Sequence, residues 1–255
     1  MRRALIIGPG GLRGAYGGGV VATLCRAFGH GYFNKIYGCS AGAYTGSYAV
    51  SGQPAQIESI WRECVHSDLL VDLSRVFTRK RPILDLFYLN DVLRSERYRL
   101  SVRDMLASPT TLEIVTTDRE TGQSHYFTPQ SEEAFFHQVR ASAAVPVFHP
   151  RVSIEGKTYV DGGLSDPIPL EKALADGCDK VIIVCSRPIA DIGRLADIFL
   201  RVYSAFTAQA SSCQVGERLG RVAHLAETLA DRIHVIAPSS THSHRWQFDS
   251  GHATL

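Results

Sequence analysis

A serine stands within Gly38-Cys39-Ser40-Ala41-Gly42, 26 residues beyond the end of a glycine-rich run, Gly8-Pro9-Gly10-Gly11-Leu12-Arg13-Gly14. Gly-x-Ser-x-Gly presents a hydroxyl on a sharp strand-to-helix turn. A glycine-rich strand-to-helix turn offers backbone N–H groups to an anion. Acyl transfer needs both parts, because one group attacks the carbonyl and another stabilises the oxyanion that results. The pair points to a serine hydrolase and leaves open what takes the serine's proton.

By itself Gly-x-Ser-x-Gly arises by chance in roughly one chain in ten of this length, so its context decides. A short apolar strand precedes it, a helix of small residues follows it, and an oxyanion candidate lies upstream; the alternative is a turn whose glycines only permit positive φ. The glycine run lacks the Gly-Lys-Ser/Thr ending of a phosphate-binding loop, and Arg13 occupies the place of the third glycine of a dinucleotide fingerprint. Gly10 and Gly11 are able to turn their amides inward, whereas Pro9 has no N–H. Arg13 either steadies this loop, adds positive charge beside an oxyanion, or is a surface arginine.

Two candidates exist for the base. His149, between Phe148 and Pro150, has the best setting among the downstream histidines. Asp161 has a better one, since it ends a hairpin strand and precedes Gly162-Gly163, which let another backbone approach. A carboxylate with an ordinary pKa of about 3.9 is a weak base, but burial raises that value. The competing role for Asp161 is that of a turn-forming aspartate.

The elements that must carry these residues read as an alternation of strands and helices. Ala4–Ile7 suits a buried parallel strand, and a helix is expected from Gly14 to about Phe28, with Gly17-Gly18-Gly19 allowing close packing on the sheet. Lys35–Tyr37 is the next strand and Ala43–Val50 the helix leaving the serine turn. Residues 53–108 read as a helical insertion, in which the apolar stretch Pro82–Leu89 is assigned to core packing rather than to covering a lipid site. The basic run Arg75–Arg81 is assigned to a solvated loop or helix end rather than to an anionic-lipid contact. Thr111–Thr117 and Ser124–Phe127 form one hairpin, and Arg151–Ile154 with Lys157–Val160 another, turned by Glu155-Gly156. Between them a helix from Glu132 to Ala144 stops before Pro146. Helix Leu170–Asp176, strand Lys180–Cys185, a long helical stretch over about 190–230 and a last strand Arg232–Ala237 complete the chain.

At 255 residues, with no repeat or low-complexity linker, one α/β domain over 1–255 is expected. The 27 basic and 25 acidic residues nearly balance, which argues against nucleic acid as a partner. Six scattered cysteines without a C-x-x-C pair support neither zinc nor a disulfide scaffold, and the His242-Ser243-His244 pair reads as incidental, so no metal and no cofactor are called for. The apolar run after Met1-Arg2-Arg3 is four residues, too short for a signal-peptide core, and no segment approaches a membrane span. A cytoplasmic protein is expected, with peripheral contact at a membrane surface allowed. One stripe, Ile192, Leu195, Phe199, Val202 and Phe206 with Arg194 and Arg201 among them, has the spacing for such a contact, although core packing is the commoner use.

Together these residues resemble the patatin-like phospholipases. Pro9-Gly10-Gly11-Leu12-Arg13-Gly14 is similar to the family's Gly-Gly-Gly-x-Arg-Gly loop, 38–42 to its serine turn, and Asp161-Gly162-Gly163 to its Asp-Gly-Gly/Ala. Ala141-Ser142-Ala143-Ala144-Val145-Pro146 is similar to its Ala-Ser-x-Ala-x-Pro block, so the matches run in order over about 4–185. The resemblance implies a three-layer α/β/α fold with a mainly parallel central sheet, a helical insertion at 53–108, and a C-terminal helical extension with a last strand at about 190–237. It implies hydrolysis of fatty-acyl esters or phospholipids by a Ser–Asp dyad: Ser40 as nucleophile, Asp161 as base, and Gly10, Gly11 and Arg13 in the oxyanion loop, with Gly38 and Gly42 shaping the turn. The departures are Pro9 in place of the first glycine, which leaves the exact donor pair open, and Ser165-Asp166-Pro167 in place of asparagine-proline, which makes the chain similar to compact bacterial members. Acyl transfer by the same serine, or a non-catalytic lipid-binding or regulatory role, are the alternatives.

Overall fold

The computed structural model describes residues 1–65, 68–78, 80–188 and 212–239. Its centre is an eight-stranded mixed sheet. Strands β1 (Arg3–Ile7), β2 (Lys35–Cys39), β3 (Thr111–Asp118), β7 (Lys180–Val184) and β8 (Ile233–Ile236) run parallel in the order β3-β2-β1-β7-β8. Strands β4 (Ser124–Phe127), β5 (Val152–Ile154) and β6 (Lys157–Asp161) add antiparallel pairings at the β3 end. Both sheet faces are covered, which is why β1 is apolar without alternation. Leu5 and Ile7 enter the core on one face, and Ala4 and Ile6 the core on the other.

The first face carries α1 (Gly14–Phe28), α2 (Ala41–Val50), α3 (Pro54–Glu63), α5 (Leu86–Arg94), α6 (Val102–Ala107) and α7 (Glu132–Ser142). The second carries α8 (Leu170–Ala175) and α9 (Ser212–Thr228), which contribute Leu170, Val215, Leu219 and Val222. The short α4 (Arg75–Thr78) lies in the insertion over 53–108, where Val71 and Leu84 form an isolated antiparallel bridge. Asp85 caps α5 by accepting from the Tyr88 amide at 3.0 Å, and Ser101 caps α6. In the basic run, Arg75 pairs with Asp72 at 3.4 Å and Arg81 with the buried Asp85 at 3.3 Å.

Two expectations need correction. The glycines of α1 do not all serve packing on the sheet. A Cβ on Gly17 would lie 3.7 Å from Val184 of β7, but one on Gly18 would sit 2.4 Å from the Trp61 indole of α3, and one on Gly19 would meet nothing within 4 Å. Helix α7 also ends at Ser142, two residues earlier than expected, because the next residues are drawn into contacts with β6 described below. Residues 189–211 and 240–255, which include the 192–206 stripe and His242-Ser243-His244, lie outside the described residues. Among the described residues no helix is long and apolar enough to cross a membrane.

Candidate active site

The register of β3 explains how residues 121 positions apart meet. Along one edge β3 pairs with β4 over Ile114–Thr117. Along its other edge it pairs with β2 as far as Cys39↔Val115, and from the next position onward with β6, beginning at Thr116↔Asp161. Strands β2 and β6 therefore abut end to end beside β3. Ser40 is the first residue after β2 and Asp161 the last of β6. Only glycine fits after Asp161, since a Cβ on Gly162 would lie 2.3 Å from the Val115 carbonyl oxygen.

Ser40 has φ 55° and ψ −123°, in the left-handed half of backbone space that a residue with a Cβ avoids. Holding it there costs on the order of 1–3 kcal/mol, supplied by the surrounding packing. A Cβ on Gly42 would lie 2.1 Å from the Ile7 carbonyl oxygen, and one on Gly38 would lie 2.5 Å from the Ala43 Cα. The two glycines thus let α2 approach β1 and fold back on β2. The Ser40 amide donates to the Ser142 hydroxyl at 2.9 Å, so the last residue of α7 fixes the turn.

Asp161 is buried, its carboxylate accepts a hydrogen bond from the Gly163 amide at 2.8 Å, and the Ser40 hydroxyl beside it favours the charged form. Its backbone is held on both sides: its amide donates to the Ala144 carbonyl at 3.1 Å, and its carbonyl accepts from the Thr117 hydroxyl at 2.7 Å. Thr117 also bonds the Ser165 hydroxyl at 2.8 Å. Burial pushes the carboxyl up from 3.8 to about 6, outweighing the Gly163 amide and the Ser40 hydroxyl, which favour its charge. Such a group is half ionised at about pH 6.

His149 sits elsewhere in this network. It is buried, its Nδ1 lies 2.7 Å from the Leu84 carbonyl oxygen, and burial holds its pKa below the ordinary value. It ties the segment after α7 to the insertion.

The glycine loop runs from β1 into a 3-10 turn, Gly11–Arg13, ahead of α1. Gly11 has φ 51°, and a Cβ on Gly10 would lie 2.5 Å from the Ser186 hydroxyl oxygen. Gly11 and Leu12 line a cavity together with Ser40 and Ala41. Arg13 does not line it; its amide donates to the Gly10 carbonyl at 3.0 Å, closing the turn. The Pro9 ring packs near Gly163, at the Asp161 side of the site, since a Cβ on Gly163 would be 3.6 Å from Pro9 Cγ.

That cavity has a volume of about 230 Å³ and extends from Ser40 beneath the insertion, past Tyr44, Trp61, Leu70, Leu84 and Leu86. Leu84, Leu86 and Leu89 belong to the stretch assigned above to core packing in preference to covering a lipid site, and they do join the core. They pack around a void that opens on Ser40. Sequence reading also passed over Ser142 and Thr117 as parts of the site; the fixed position of Ser142 in the Ala-Ser-x-Ala-x-Pro block was the available signal. Among the described residues no cluster of three or more His, Cys, Asp or Glu side chains is arranged to hold a metal ion.

Sheet order, the strained serine turn and its apolar cavity define an α/β protein with a hydrolase-type site. The chain belongs to the patatin-like phospholipase family, whose model matches residues 5–174, and membership supports hydrolase activity. It is 28% identical over 190 residues to the uncharacterized protein YjjU of Escherichia coli K12, covering 73% of this chain and 52% of that protein. To the uncharacterized NTE family protein Rv1063c of Mycobacterium tuberculosis H37Rv it is 27% identical over 189 residues, covering 72% and 48%. The chain thus spans about half the length of these curated relatives. Among solved structures, VipD from Legionella pneumophila shares the fold with a TM-score of 0.51 at 14% identity, over 98% of this chain and 64% of that one.

Proposed function

We propose that this protein is a lipid acyl hydrolase that cleaves fatty-acyl esters or phospholipids through a Ser40–Asp161 dyad. The observation that carries the reading is that the abutting ends of β2 and β6 bring Ser40, on its strained turn, to the buried Asp161 carboxyl of raised pKa, at one end of an apolar cavity. Ser40 Oγ attacks the ester carbonyl carbon as its proton passes to Asp161. The carbonyl electrons move to oxygen, which takes its stabilisation from the Gly10–Gly11 loop and from the N-terminal dipole of α2. Collapse expels the alcohol, which takes the proton from Asp161 and leaves an acyl-enzyme. A water molecule then gives its proton to Asp161, attacks the acyl carbon, and releases the fatty acid and the Ser40 hydroxyl. The cavity takes the acyl chain, because its lining is apolar and begins at the serine.

Hydrolysis of a p-nitrophenyl ester series by wild type, Ser40→Ala and Asp161→Asn tests this. General base catalysis is worth 10²–10⁴-fold, so Asp161→Asn is expected to lose about a thousandfold in kcat and Ser40→Ala at least as much. Activity retained in Asp161→Asn but abolished in His149→Ala would overturn the dyad.

A further inference from the structure

The wall between the cavity and solvent is apolar on both of its faces. It is built from three segments joined by backbone hydrogen bonds: the Asp72 amide to the Ile83 carbonyl at 3.0 Å, the Asp85 amide to Leu70 at 2.8 Å, and the Leu84 amide to Phe148 at 2.9 Å. On the inner face, Leu70, Val71, Leu84, Leu86, Val145 and Phe148 line the cavity. On the outer face, the neighbours in sequence are exposed: Leu69, Leu73, Val76 and Phe77 from the first segment, Phe87 from the second and Val147 from the third. Phe77 is 88% exposed, and Val147 is 59% exposed at φ 73°, a backbone state that a β-branched residue rarely adopts.

Single exposed apolar residues need no explanation, but six in three segments joined by backbone hydrogen bonds do. Charge selects the occupant. Lys80, Arg81 and Arg151 are exposed at the edges of this wall. The acids Asp72 and Asp85 are engaged by Arg75 and Arg81. Asp91, one turn beyond Phe87, is exposed with Arg94 at 4.0 Å, and Asp68 is the exposed carboxylate of the first segment. Exposed apolar side chains with exposed basic ones close by in the same segments fit a surface with an apolar interior and anionic head groups.

We propose that the face bearing Leu69, Leu73, Val76, Phe77, Phe87 and Val147 docks on an anionic phospholipid bilayer. Docking there sets the apolar wall against the lipid that supplies acyl chains to the cavity behind it. The inference deepens the reading of Ser40 as the group that attacks lipid esters, and rests on it for its purpose, but it is tested without catalysis. Protein carrying Ser40→Ala is sedimented with vesicles of equal parts phosphatidylglycerol and phosphatidylcholine, and with phosphatidylcholine alone. The bound fraction is expected to be larger on the anionic vesicles, and Leu73→Ser with Phe77→Ser in the same background is expected to lower it about tenfold. With Ser40 restored, the double variant is expected to hydrolyse soluble p-nitrophenyl acetate at the wild-type rate, which establishes that it is folded. No sedimentation of the Ser40→Ala protein, or equal sedimentation of the double variant, overturns the proposal. So does a dimer in size-exclusion chromatography that these substitutions dissolve without changing vesicle binding, since the face would then join two copies of the chain. Vesicle binding by a wild type that cleaves no ester leaves the docking standing and removes the catalytic reading.

Discussion

At the scale of single residues, everything turns on the carboxyl of Asp161. Its burial raises the pKa from 3.8 to about 6, so the protonated form is favoured in the folded state. Stability linked to this group is therefore fully present below about pH 4 and is lost as pH rises through about 6. Keeping the buried carboxylate charged above that pH costs on the order of 3 kcal/mol, reduced by any water that reaches it. Asp161→Asn is thus expected to be more stable than wild type in urea at pH 8, and to lose that advantage at pH 4. The residue that limits turnover would then be one whose removal stabilises the fold. Ser142 gives a second expectation. Ser142→Ala leaves the buried Ser40 amide without its acceptor, at a cost of about 1–3 kcal/mol. The loss should appear in kcat rather than KM, because the turn that aims Ser40 is what loosens.

At the scale of elements, the site is the place where β2 and β6 end head to head along one edge of β3. Glycine sterics enforce that arrangement. Gly162→Ala forces a Cβ against the Val115 carbonyl and must lift Asp161 away from Ser40. Its activity is expected to fall by about a hundredfold or more, a larger effect than its change in urea midpoint suggests. Gly19→Ala, with open space around it, is expected to gain up to about 1 kcal/mol from helix propensity with activity unchanged. Much of this frame was legible from local signals: Gly-x-Ser-x-Gly between a strand and a small-residue helix, and Glu155-Gly156 between two short alternating runs that deliver Asp161. What local signals do not carry is a pairing register between distant strands, so the abutment of β2 and β6 could not be read. The early stop of α7 had the same origin. The Ala144 carbonyl accepts from Asp161 and the Ser142 hydroxyl from Ser40, and both partners are remote in sequence. The use of Gly18 was missed because its partner, Trp61, lies on α3 rather than on the sheet.

At the scale of the whole molecule, the sheet positions Ser40 and Asp161, and residues of the 53–108 segment enclose the cavity that opens on Ser40. Apolar periodicity reports that a residue is buried and is blind to whether it borders other side chains or a void, which is why Leu84, Leu86 and Leu89 read as core. Leu86→Phe, which adds volume inside a cavity of about 230 Å³, is expected to lower kcat/KM on octanoyl esters about tenfold relative to acetyl esters. Equal loss on both would place the acyl chain elsewhere. The central claim, a serine activated by a buried carboxylate, is tested most directly by the pH dependence of fluorophosphonate labelling, with the modified residue identified by mass spectrometry. Labelling of Ser40 in wild type is expected to rise through about pH 6 and level off above it, and in Asp161→Asn to be slow at every pH. Labelling of Ser40 at the same rate and with the same pH profile in both proteins would contradict the account.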